Sequence, residues 1–154
     1  MKNCCFTGHR NITDVRERLE KEIEALITEK GITDFFCGGA LGFDTEAGLA
    51  VIALRKEYPY IRLHLVLPCS PEEQSGKWDD EQKETYRILT GSADSIESVS
   101  EKYYNGCMKK RNAKLVEYAD ICLCCLNEKR KRSGTAQTVN MAVKKNIPVI
   151  NLYE

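Results

Sequence analysis

The chain has little of what several protein classes require. No uninterrupted apolar run approaches the roughly 20 residues of a membrane-spanning helix, so no membrane association is expected. Lys plus Arg equals Asp plus Glu at 23 each, which leaves no net charge to draw the whole molecule onto nucleic acid. Histidine is scarce, with two in 154 residues, and no HExxH, Walker or GxSxG pattern occurs. The metallopeptidase helix, the P-loop and the serine-hydrolase elbow are absent as motifs, and neither a metal site nor a required cofactor is expected. No charged-then-apolar leader opens the sequence, so its eight cysteines read as reduced thiols of a cytoplasmic protein rather than a secreted disulfide framework.

What is present suits one α/β domain over residues 1–154, with 42% hydrophobic residues. Charge is unevenly spread. Residues 101–154 hold 11 basic and 5 acidic side chains, net +6, and residues 1–100 are net −6. Apolar strand-like stretches at Asn3–Phe6, Phe35–Cys37, Ile61–Leu67, Ser95–Val99, Ile121–Leu126 and Pro148–Leu152 alternate with helical periods. The first helix starts from Thr13 or Asp14 as N-cap, carries Val15, Leu19, Ile23, Leu26 and Ile27 on one stripe, and stops at Gly31. A second begins at Asp44 or Thr45. Others follow from Asp79 to Thr90, Met108 to Tyr118 and Thr135 to Lys145, with Pro68, Pro71 and Gly76 marking a loop. Alternation of this kind predicts a three-layer, Rossmann-like fold, a mostly parallel doubly wound sheet with helices on both faces. Its ligands bind outside the carboxyl ends of the strands, where strand order reverses.

Four segments fall at such ends. Thr7-Gly8-His9-Arg10 follows the first strand and offers a hydroxyl, close backbone approach and a forked cation suited to phosphate. Gly38-Gly39-Ala40-Leu41-Gly42-Phe43-Asp44 lacks the full GxGxxG spacing, yet a glycine-lined strand-to-helix turn suits phosphate or ribose, and Asp44 can cap the helix or accept a ribose hydroxyl. Cys107-Met108-Lys109-Lys110-Arg111-Asn112 opens a helix with three cations against its dipole; Arg111 is expected to face inward and the lysines to be solvated. Ser133-Gly134-Thr135 combines a cap with a phosphate-favouring helix start. Trp78 can stack on a base or pin its loop.

Other features read more plainly. Lys129-Arg130-Lys131-Arg132 lacks interleaved aromatics and reads as a solvated loop, with nucleic-acid binding as the alternative. Cys122 and Cys125 lie three apart on a strand, face opposite sides and read as buried apolar residues. His64 has no acidic partner in its own motif and reads as a packed or surface histidine.

FTGHR at 6–10, GGALGFD at 38–44, LPC at 67–69, KW at 77–78, the Tyr86-to-Asp94 stretch, CMKKRN at 107–112 and SGT at 133–135 together resemble the bacterial DUF1273, or YpsA-like, family of the SLOG superfamily. The resemblance spans nearly the whole chain and implies a Rossmann-like nucleotide-binding domain. Its relatives include LOG phosphoribohydrolases and the DNA-processing protein DprA, and such relatives often dimerise. Met108 with Arg111, and Gly134-Thr135, match parts of the LOG pattern. Where that pattern has its catalytic glutamate this chain has Thr138, leaving Asp44, Glu46 and Arg111 as catalytic candidates.

The expected function is therefore recognition of a nucleotide or an ADP-ribose-like derivative. Phosphate is expected on Gly8, Arg10, Gly134 and Thr135, ribose near Gly39 and Asp44. The alternatives are nucleoside-monophosphate N-glycosidase activity and DprA-like binding of single-stranded DNA.

Overall fold

The computed structural model describes residues 1–12 and 14–154. Among these, the elements run β1 (Asn3–Gly8), α1 (Arg16–Lys30), β2 (Asp34–Cys37), α2 (Phe43–Leu54), β3 (Arg62–Leu67), α3 (Pro71–Ser75), α4 (Asp80–Ser92), β4 (Ser95–Ser98), α5 (Cys107–Tyr118), β5 (Ile121–Cys125), α6 (Gly134–Lys144) and β6 (Val149–Asn151). The strands form one sheet in the order β4-β3-β2-β1-β5-β6, and every pair is parallel. The chain winds outward from β1 to β4, then returns to the other side of β1 with β5. Order therefore reverses between β1 and β5.

Strand alternation divides the core into two layers. Cys4 and Phe6 of β1, Leu63 and Leu65 of β3 and Leu123 of β5 pack with Leu19, Ile23, Ala47 and Val51 of α1 and α2. Cys5, Val66, Cys122 and Cys124 face the opposite layer, with Leu115 and Val116 of α5 and Ala136 and Ala142 of α6. Helices thus cover both faces, as the alternating pattern predicts. Cys125 packs in the first layer and Cys122 in the second, so this pair cannot grip one ion.

Local chemistry moves several boundaries. β1 runs past Phe6 because Thr7 and Gly8 pair with Cys124 and Cys125 of β5. Val15, not Asp14, is the residue before α1, and no side chain among the described residues caps that helix; Thr13 lies outside them. Gly31 ends α1 in the left-handed conformation, its N–H bonded to the Leu26 carbonyl. Gly42, at φ 79°, precedes α2, so neither Asp44 nor Thr45 is its cap; both fall inside its first turn. The loop marked by Pro68 and Pro71 contains α3, whose cap Ser70 accepts from Glu73 N–H. Asp79 and Gln82 close a reciprocal capping box on α4.

Candidate functional site

Where β1 and β5 diverge, a cleft of about 660 Å³ opens at the carboxyl edge of the sheet. Its walls come from the end of β1, the start of α5, the start of α6 and the β2–α2 junction. Thr7, Gly8, His9 and Arg10 line it, as do Asp44, Arg111 and Asn112, and Ser133, Gly134 and Thr135. Two of the four expected segments, Thr7–Arg10 and Ser133–Thr135, therefore converge in full, the segment opening α5 contributes Met108, Arg111 and Asn112, and the glycine segment contributes Ala40 and Asp44 only.

His9 is buried and its Nε2 accepts the Asn127 backbone N–H at 2.9 Å. That bond requires a lone pair on Nε2, which places the proton of the neutral ring on Nδ1. Burial, then the nearby Arg130 charge, lowers the His9 pKa from its ordinary 6.5, in agreement with a neutral ring. The imidazole thus joins the loops after β1 and β5.

Arg111 is buried at 4% exposure, and most of its guanidinium is already engaged. Nη1 donates to the Gly38 carbonyl at 2.7 Å and Nε to Asn112 Oδ1 at 2.8 Å, while Nη2 has only the Met108 sulfur at 3.9 Å. Lys109 and Lys110 are exposed, as expected from their spacing. Asp44 approaches the same face of Gly38, where a Cβ would stand 2.9 Å from its Oδ2. One carboxylate oxygen, Oδ2, accepts from Ala40 N–H at 3.3 Å; the other, Oδ1, is buried with no hydrogen-bond partner. Burial pushes the Asp44 carboxyl up to about 6, against the opposing pull of Arg111 and the Ala40 N–H.

At α6, Ser133 Oγ caps the helix by accepting Ala136 N–H at 3.0 Å, leaving the first-turn N–H groups of Gly134 and Thr135 facing the cleft without intrahelical acceptors. Neither α5 nor α6 has an acidic residue in its first turn, whereas α1, α2, α3 and α4 all do. At these two helix starts no acidic residue of the helix's own first turn offsets the positive end of the dipole.

Several expected residues serve elsewhere. Gly38, Gly39 and Gly42 do not line the cleft. A Cβ on Gly38 would strike the Arg111 guanidinium, and one on Gly39 would stand 2.9 Å from the Leu67 side chain. A Cβ on Gly42 would overlap the Arg10 carbonyl. These glycines admit close packing behind the site. Trp78 meets Tyr86 edge-on at 5.0 Å and lines a separate groove of about 470 Å³, which Arg10 borders from the first cleft. Glu46 faces that groove rather than the cleft and pairs with Arg16 at 2.7 Å. Thr138 is fully buried, its hydroxyl bonded to the Gly134 carbonyl at 2.8 Å.

Other side chains exceed what the sequence promised. Arg130 and Arg132 of the basic run line the cleft, as do Asn11 and Gln137. The signal for the arginines was position, since the run ends on Ser133 at the mouth of β5. His64 does have a carboxylate partner, from the neighbouring strand: its Nε2 stands 2.7 Å from Asp34 Oδ1 and its Nδ1 2.6 Å from Ser95 Oγ. That network holds β2, β3 and β4 together away from the cleft.

An all-parallel, doubly wound sheet with a cation-lined cleft at its switch point defines a Rossmann-like α/β domain. The chain belongs to the YspA SLOG family, whose YpsA model matches residues 4–152. It is 31% identical over 128 residues to a UPF0398 protein of Halalkalibacterium halodurans, covering 82% of this chain and 66% of that protein. It is 29% identical over 142 residues to the SPbeta prophage-derived protein YoqJ of Bacillus subtilis, covering 84% and 81% of the two chains. Among solved structures, DNA processing protein A of Streptococcus pneumoniae superposes with TM-score 0.68 at 16% identity, over 97% of this chain and 49% of that one. The structural-genomics protein TM1055 superposes with TM-score 0.60 at 15% identity, over 97% and 72%. At such identities the likeness is one of fold.

Proposed function

We propose that the switch-point cleft binds a nucleotide or phosphorylated nucleoside, ADP-ribose among the ligands of this type. The observation that carries this reading is Asp44 Oδ1, a buried acceptor without a donor among the described residues, in a cleft whose other charged side chains are all cationic. An unsatisfied buried acceptor costs about 1–3 kcal/mol, which a hydroxyl donated by a ligand would recover. A phosphate fits Arg10 and the N–H groups of α6, and a ribose hydroxyl fits Asp44. Arg111, committed to the Gly38 carbonyl, acts as a fixed countercharge rather than a phosphate fork.

A ligand present at 100 times its dissociation constant stabilises the folded state by about 2.7 kcal/mol. In a domain of this size that raises the melting temperature by about 5–10 °C. Thermal shifts across nucleoside mono-, di- and triphosphates and ADP-ribose should include at least one rise of that size, reduced in Arg10→Ala and Asp44→Asn. A flat panel would refute the reading.

A second reading is N-glycosidic hydrolysis of such a ligand. The observation favouring it is that Asp44 is the one carboxylate lining the cleft among the described residues and is held near 6, within the range of a working acid or base. Water would add at the sugar C1′ as the C1′–N bond breaks, its proton passing to the carboxylate and from there to the departing base nitrogen, which leaves as the neutral base. Chromatography of each nucleotide after incubation would reveal free base, and its absence throughout would eliminate this activity.

A further inference from the structure

A second cleft of about 640 Å³ runs beside α6 and shares Arg132, Ser133, Gly134 and Gln137 with the first. Its remaining cations are Lys109 at the start of α5, Lys131 in the loop and Lys144 at the end of α6, and no carboxylate lines it. Among the described residues, Lys109, Lys131, Arg132 and Lys144 form no ion pair, whereas Arg16, Arg55 and Lys114 on other faces each hold a carboxylate. Like charges gathered along a groove repel one another and raise the local potential for an anion. At the junction of the two clefts stands Gly134, where a Cβ would find only Asn112 Nδ2, at 3.8 Å. No side chain therefore divides them at that point.

Resting on the nucleotide reading above, we propose that the two clefts form one site for a nucleotide carrying a second phosphate. One phosphate is held by Arg10 and the α6 N-terminus, and the other by Lys109, Lys131, Arg132 and Lys144. The shared chemistry is a second phosphate on the same small ligand, either extending the 5′ phosphate or placed on the ribose. A long polyanion fits less well, because the chain carries no net charge to hold a strand beyond the groove.

Calorimetric titrations of the full chain with AMP, ADP and adenosine 3′,5′-bisphosphate test this. ADP or the bisphosphate should bind at least about tenfold more tightly than AMP, and whichever gains identifies where the second phosphate sits. In the double variant Lys131→Glu, Lys144→Glu, both changes on exposed side chains, the gain should vanish while AMP affinity stays within about twofold. Equal affinities for all three nucleotides, or a gain that survives the charge reversal, would overturn the two-cleft site and leave the mononucleotide reading standing. Tight binding of an oligothymidylate with no gain from a second phosphate would also overturn it. Failure of every nucleotide to bind would remove both readings together.

Discussion

His9 Nε2 receives the Asn127 backbone N–H at 2.9 Å, so a side chain following β1 is locked to the backbone following β5. These are the two strands between which sheet order reverses. The bond sets both the spacing of the cleft's rims and the tautomer of a residue in its wall.

Replacing His9 with Ala should therefore lower stability by about 1–2 kcal/mol, the cost of leaving a largely buried N–H unpaired. The corresponding melting shift is about 2–8 °C. The dependence on pH has a definite sign. Because folding lowers the His9 pKa, its contribution is complete above the ordinary value of 6.5 and declines as pH falls below it toward the folded-state value. Thermal melts of wild type and His9→Ala should differ most at pH 7.5 and draw together as the pH is lowered below 6.5. A gap that widens on acidification would contradict the lock.

Arg111→Ala should cost about 3–5 kcal/mol, because it strands the Gly38 carbonyl and leaves buried Asp44 without its countercharge. Arg10→Ala, at an exposed position, should leave stability within about 0.5 kcal/mol and lower only ligand affinity. Urea unfolding of the two variants would separate them, and equal midpoints would argue against a fixed countercharge.

Two glycines should respond in opposite directions. Gly42→Ala forces a Cβ against the Arg10 carbonyl at a positive φ and should cost about 1–3 kcal/mol. Gly91→Ala meets no atom within 4 Å in the last turn of α4 and should stabilise by about 0.5–1 kcal/mol. Denaturant midpoints measure both.

Binding of ADP-ribose should weaken about tenfold between pH 7 and pH 5, as the Asp44 carboxyl, held at about 6, gains a proton and loses its acceptor oxygen. This ligand is chosen because a monoester phosphate titrates in the same range. Asp44→Asn, which replaces one oxygen by a donor, should bind weakly with little pH dependence. A steep profile surviving in Asp44→Asn would assign the titration to another group.

The sequence carried the fold further than the site. Short apolar runs alternating with period-3.6 helical stripes reported the layered parallel sheet, and the stripe Val15, Leu19, Ile23, Leu26 and Ile27 is buried along its whole length. The site was legible where glycine and cation meet at a strand end, as at Thr7–Arg10, and where glycine follows a cap at a helix start, as at Ser133–Thr135. It was not legible where a glycine's purpose depends on a distant partner. Gly38 makes room for Arg111, 73 positions away, and Gly42 for the backbone of Arg10; no local pattern encodes either approach. Likewise Asp34 reaches His64 only because β2 and β3 are neighbours, which linear spacing does not convey.

All eight cysteines are buried, none more than 1% exposed, and none is in a disulfide. They are distributed over β1, β2, β5, α5 and the turn after β3, so they sample both halves of the sheet. Burial raises the pKa of Cys4, Cys37 and Cys124, which removes the reactive thiolate as well as access to it. The native chain thus carries an internal clock for its own opening. A maleimide added under native conditions marks only molecules that have opened, and the order in which peptides acquire the label ranks the strands by how often each comes apart.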